Sequence, residues 1–154
     1  MATNHAMTLG MLVGNLHSLE AMMRLSLLST EAGRSQVPYW DLRVGDVVPV
    51  DAFTNYDSLS RIVSKYNSWV SQYDPTLQVD PAVIEIRDLI AHGRVAASSR
   101  DEATLTIMKF DRPSGNSVSV TAFALMSNEW FKSHNTLVRV QIEHVQKALA
   151  QHAA

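Results

Sequence analysis

Ile86-Arg87-Asp88-Leu89-Ile90-Ala91-His92-Gly93-Arg94-Val95 marks the point where the rhythm of the chain changes. Upstream, Val83, Ile84, Ile86, Leu89 and Ile90 recur three and four residues apart, the spacing of a helix with one apolar face. Asp80 is placed to cap that helix, with Pro81 at its first position, and Gly93 to end it. Downstream, the period becomes two. Thr104-Leu105-Thr106-Ile107-Met108-Lys109-Phe110 and Ser117-Val118-Ser119-Val120-Thr121-Ala122-Phe123 flank the turn-rich Asp111-Arg112-Pro113-Ser114-Gly115-Asn116, which predicts a β-hairpin over about residues 103–124.

Beyond the hairpin, Ser127 is placed to cap a last helix from Asn128 to about Gln151, with Trp130/Phe131, Leu137/Val138, Ile142, Val145 and Leu149 inward. Before Asp80 the chain breaks at Asp74-Pro75. Ahead of that break, Phe53, Tyr56, Leu59, Ile62/Val63, Tyr66, Trp69/Val70 and Tyr73 form the clearest helical stripe, which predicts a helix capped by Asp51 and running to Tyr73. Residues 34–50 hold Pro38, Gly45 and Pro49 and read as a surface connection, with Tyr39 and Trp40 as anchors. A first helix is expected from about Asn4 to Ala32, with Leu9, Leu12, Leu16, Leu19, Met23 and Leu27 inward and Gly33 as its stop. Gly10 and Gly14 inside it mark either a close helix approach or a weak first half. A two-stranded hairpin needs other elements to lie against. The expected fold is therefore mainly α: one domain of about four helices with a β-hairpin inserted before the last.

Composition bounds the partners. Among 154 residues, 46% are hydrophobic and 18% charged, and the net charge of −2 advertises no extended duplex-DNA footprint. The absence of cysteine excludes disulfides, thiolate metal sites and cysteine nucleophiles. No Lys or Arg precedes Arg24, polar residues interrupt the first apolar stretch, and no run reaches the roughly 18 apolar residues of a membrane span. A cytoplasmic protein without membrane contact is expected.

The end of the third helix carries the chemistry. Asp88 and His92, four apart, share a face and can pair, which orients the ring and favours its charged form. The negative end of the helix dipole acts in the same sense, and both suit a general acid. Arg87 lies roughly 140° round from His92, so the two converge only if the helix loosens or the guanidinium reaches round. Arg94 adds a second cation, and the cluster suits an anionic, phosphate-bearing substrate. The same pairs also occur as plain surface features. The spacing recurs at Arg139 and His144, mid-helix, with Val140 after the arginine and no glycine stop, and is set aside there. The six histidines never take metal-ligand spacing, no glycine loop or nucleophile elbow is present, and Ser98, Ser99 and Ser133 have no local base. Neither metal nor cofactor is expected.

Arg87-Asp88 followed by three residues and His92 near a helix end, in a small helical domain, resembles the HEPN superfamily. Arg87, Asp88 and His92 fall on its arginine, following polar residue and histidine. The resemblance implies an up-and-down helical bundle, commonly a homodimer, and in many members a metal-independent endoribonuclease of toxin–antitoxin, phage-defence or RNA-processing systems. Other members bind a nucleotide or a protein partner without catalysis. The hairpin is additional to the minimal bundle, and Arg94 stands where a tyrosine often follows. The expectation is cleavage of single-stranded or loop RNA, with His92 as acid–base group, Arg87 as phosphate clamp, Asp88 as orienting residue and Arg94 on the substrate. One chain offers one well-placed histidine, so a twofold dimer is expected to complete the site, and an antitoxin is an expected protein partner.

Overall fold

Helix-forming periodicity holds over most of the chain and fails at one place for an identifiable reason. The computed structural model describes residues 2–31, 37–97 and 105–152. Gly33, Ser98, Ser99 and the start of the predicted hairpin, including Thr104, lie outside them. Among the described residues there are four helices, α1 (Ala2–Leu28), α2 (Leu59–Val70), α3 (Ala82–His92) and α4 (Asn128–His152). A small antiparallel sheet of β1 (Arg94–Ala97), β2 (Leu105–Phe110) and β3 (Val120–Leu125) precedes α4. The mainly helical expectation with strands before the last helix is met. None of the helices is long and apolar enough to cross a membrane among the described residues.

The chain divides into two compact units, Met1–His17 with Asp80–Val140 and Ser18–Val79 with Gln141–Ala154. In the first, Leu12, Leu16, Val83, Ile86, Ile107, Met126, Phe131 and Val138 are buried. In the second, the core holds Leu19, Met23, Leu59, Ile62, Val63, Tyr66, Val70, Val145 and Ala148. The helical members other than Ala148 lie on the stripes the three-and-four spacing selects, while Leu9, Leu27, Ile142 and Leu149 of those stripes are only half-buried. Among the described residues, nothing lies within 4 Å of a Cβ placed on Gly10 or Gly14 of α1.

The caps of the later helices follow the sequence. Asp80 Oδ1 accepts the Ala82 N–H at 2.9 Å, and Ser127 Oγ accepts the Trp130 N–H at 3.1 Å. The second helix is the correction. It starts at Leu59 behind an N-cap at Ser58, not at Asp51. Asp51 instead closes a turn, its Oδ1 accepting the N–H groups of Phe53 and Thr54 at 2.9 and 3.0 Å, while the Tyr39 hydroxyl donates to its other oxygen. Phe53 therefore leaves the stripe and packs on Tyr39, with ring centroids 4.7 Å apart, and Tyr56 is fully exposed. The segment is held in this turn from outside: the carbonyls of Ala52, Asn55 and Asp57 point at the Arg24 guanidinium and accept its N–H groups, while the Asp51 side chain takes the N–H groups of Phe53 and Thr54.

The hairpin also gains a third strand. Arg94–Ala97 has no alternating pattern of its own, yet it pairs with β2 from Arg94↔Met108 to Ala97↔Leu105. β3 pairs with β2 from Thr106↔Leu125 to Phe110↔Val120, with an irregularity at Lys109/Phe110. The tip is tighter than the sequence suggests, a bridge at Ser114↔Ser117 closing around Gly115, whose φ of 61° favours glycine. Alternation along β2 puts Ile107 and Lys109 on one face and Met108 and Phe110 on the other. The first face meets α3.

Candidate functional site

Everything that positions the candidate residues belongs to the first unit. In α3, Val83 and Ile86 are buried and anchor the helix. That leaves Arg87 exposed, Asp88 half-buried and His92 exposed over its last turns. The helix stops at Gly93, but not in the left-handed cap conformation that a terminal glycine usually supplies: φ is −71° and ψ 153°, already extended and leading into β1. The glycine is needed for space. A Cβ there would stand 2.6 Å from Ile107 Cγ1 of β2 and 2.3 Å from the Leu89 carbonyl oxygen.

Asp88 is the centre of the cluster. One carboxylate oxygen, Oδ1, lies 3.6 Å from His92 Nε2, a loose ion pair rather than a hydrogen bond. The other, Oδ2, receives the Lys109 ammonium from β2. The hydrogen bond from Lys109 holds the Asp88 carboxyl below its ordinary value against the opposing effect of desolvation, with the charges of Lys109, His92 and Arg87 also lowering it. The sequence-predicted Asp88–His92 pair is thus present and has a third member. Arg94 goes elsewhere: its guanidinium lies 5.1 Å from the centroid of the Phe110 ring, on the sheet face opposite Lys109. Arg139 is exposed, and His144 Nδ1 is hydrogen-bonded to the Gln78 carbonyl at 3.1 Å.

Beside Asp88 opens a groove of about 520 Å³. Its polar walls are Glu85 and Asp88 of α3, Lys109 and Thr121 of the sheet, and Ser133 and His134 of α4, over a floor that includes Ile86, Leu89 and Leu137. This is the size of small-ligand clefts, and it joins apolar surface to convergent polar groups. Neither Arg87 nor His92 is among its lining residues. His134 has a defined ring orientation. Its Nδ1 lies 2.7 Å from the Trp130 carbonyl one turn back, and its ring packs on the Trp130 indole with centroids 4.2 Å apart. A carbonyl only accepts, so Nδ1 carries the proton and Nε2 is left for other partners. No group of three His, Asp or Glu among the described residues could hold a metal ion.

Lys109 and His134 were not singled out by sequence reasoning. Both carried a signal. Lys109 follows Ile107 by two, so it shares a strand face with a buried residue. His134 lies three residues from both Phe131 and Leu137, on the inward stripe of α4. Comparison with known protein families, with curated proteins and with solved structures returns no match to this chain.

The Asp88 linkage has a checkable consequence. A carboxyl whose folded pKa is depressed stabilises the fold above its unfolded value of about 4, and that contribution is lost as pH falls through the folded value. Lys109→Met is expected to raise the Asp88 titration midpoint toward the ordinary aspartate range. Carbon NMR of the side-chain carboxyl reads this directly, and an unchanged midpoint would remove Lys109 as the cause.

Proposed function

We propose that this protein is a metal-independent endoribonuclease acting on single-stranded or loop RNA through the exposed end of α3. The observation that carries the reading is the shared carboxylate of Asp88, which faces the His92 imidazole on one side and Lys109 on the other. Arg87 and His92 are exposed beside it, so an extended polyanion can reach both. Arg87 binds the scissile phosphate and the charge that develops on it, Asp88 orients His92, and His92 moves a proton. Attack by the substrate's own 2′-hydroxyl needs a base and an acid, and His92 supplies one of the two.

The test is cleavage of a single-stranded RNA in EDTA by the wild type, Arg87→Ala and His92→Ala. Each substitution is expected to lower the rate by about 100-fold or more, the usual scale of one acid–base or electrostatic group. Equal activity in all three proteins, or none in the wild type, overturns the reading. A second reading, a non-catalytic dimeric module binding a nucleotide or protein partner, is favoured by the outer sheet face. Val120, Phe123 and Leu125 there are 57%, 62% and 54% exposed, an apolar patch of the kind that marks interaction surfaces. Binding without turnover would support that alternative.

A further inference from the structure

We propose that His134 is the second proton-transfer group of the α3 site, so that one chain carries both the base and the acid. The inference rests on the ribonuclease reading above and names the residue which that reading leaves open. Three observations converge on it. His134 lines the groove of which Asp88 is one wall. Its Nδ1–H is committed to the Trp130 carbonyl at 2.7 Å, which leaves the basic lone pair of the neutral ring on Nε2. Asp88, which lines that groove, also lies 3.6 Å from His92 Nε2, so one carboxylate is shared by the groove and the histidine at the end of α3.

The two rings are equipped for different tasks. His134, with Nδ1–H satisfied by the Trp130 carbonyl, takes a proton on Nε2. His92, with Nε2 turned to the Asp88 carboxylate, gives one from Nδ1. In the step this implies, the ribose 2′-hydroxyl passes its proton to His134 Nε2 and its oxygen attacks the adjacent phosphorus. The bond from phosphorus to the 5′-oxygen breaks, its electron pair stays on that oxygen, and His92 protonates it. The products are a 2′,3′-cyclic phosphate and a 5′-hydroxyl end. Solvent returns the proton from His134 to His92, and no further reactant is consumed. Lys109, paired with Asp88 on the sheet side of the groove, adds a cation to the site.

The experiment uses the full chain and RNA cleavage in EDTA, adding His134→Asn to the wild type and His92→Ala. Asparagine keeps an amide N–H where Nδ1 donates to the Trp130 carbonyl and removes the base at Nε2. The expected result is a loss of about 100-fold with unchanged thermal melting. His92→Ala mixed with His134→Asn should stay inactive, because neither chain is intact. In a site shared across a twofold dimer the mixture would instead regain up to about a quarter of wild-type activity, and the single-chain assignment would fall. Wild-type activity in folded His134→Asn, alongside an inactive His92→Ala, overturns the inference and leaves the ribonuclease reading standing. No cleavage by the wild type overturns both. If His134→Asn does not fold, the wild type answers on its own. The His134 Cε1–H resonance should shift on adding an uncleavable 2′-O-methyl oligonucleotide, and a shift at His92 with none at His134 overturns the inference.

Discussion

Gly93→Ala is expected to destabilise the protein by about 3 kcal/mol, lowering the melting temperature by ~10 °C for a chain of this length. The cause is steric, since φ at Gly93 is −71°, a conformation any residue adopts. The new methyl would stand 2.3 Å from the Leu89 carbonyl oxygen and 2.6 and 2.8 Å from Cγ1 and Cδ1 of Ile107. The carbonyl cannot retreat freely, because it already accepts the Gly93 N–H at 2.7 Å. Ile107 cannot either, being 1% exposed. Relief therefore has to come from shifting β2 away from α3, which also pulls Lys109 from Asp88. A terminal glycine needed for a left-handed cap would cost only about 1 kcal/mol on the same change. The two accounts separate in a double substitution. Ile107→Val should be destabilising alone yet recover part of the loss when combined with Gly93→Ala, a coupling thermal or denaturant melts can read. A melting temperature for Gly93→Ala within a degree or two of wild type would rule out the close approach.

Arg24→Ala should cost a similar amount, about 3 kcal/mol, in the other unit. The Arg24 side chain is only 12% exposed, and its guanidinium forks across α1 and the segment before α2. It donates to Glu20 Oε1, to the carbonyls of Ala52, Asn55 and Asp57, and to Asn55 Oδ1, all between 2.9 and 3.2 Å. Removing it leaves three main-chain acceptors without that donor, and the net cost of an orphaned buried acceptor exceeds the worth of the bond it lost. Arg24→Lys is expected to recover little, since an ammonium cannot match donors spread over a planar fork. Full recovery by lysine in urea melts would show that charge, not fork geometry, holds the segment. Released from Arg24, residues 52–57 are free to extend α2 toward Asp51, so a gain in helical circular dichroism despite the lower stability is expected of Arg24→Ala.

That last point bears on the helix start that the periodicity of the chain misplaced most; the same helix also ends at Val70, short of the expected Tyr73, which is exposed. The pattern Phe53, Tyr56, Leu59 continues the stripe of α2 faultlessly, and local propensity offers no objection. What the periodicity does not contain is a guanidinium nearly thirty residues earlier, to which the carbonyls of this segment turn. The strand Arg94–Ala97 escaped notice for a parallel reason. Its residues show no alternation, and it is a strand because β2 presents it with unpaired backbone groups. The site divides in the same way. Asp88 and His92 are legible as a pair because four residues of helix always bring two side chains to one face. Lys109 and His134 stand 21 and 46 residues beyond Asp88, and no local rule connects them to it.

What the sequence determines by itself here is everything governed by short-range geometry. That covers the four apolar helical stripes, the caps at Asp80 and Ser127, the alternating strands, and the Asp88–His92 pair on the last turns of α3. Tertiary structure alone decides which groups share an environment. It makes Gly93 a matter of clearance from Ile107, ties the Asp88 carboxylate to Lys109 rather than leaving it to His92 alone, and turns Arg94 onto Phe110. It also brings His134 of α4 to the groove beside Asp88. The physical reason is that backbone periodicity repeats within a turn or two of chain and can be read residue by residue. Side-chain encounters between distant segments depend on how whole elements pack, and no spacing along the chain encodes them.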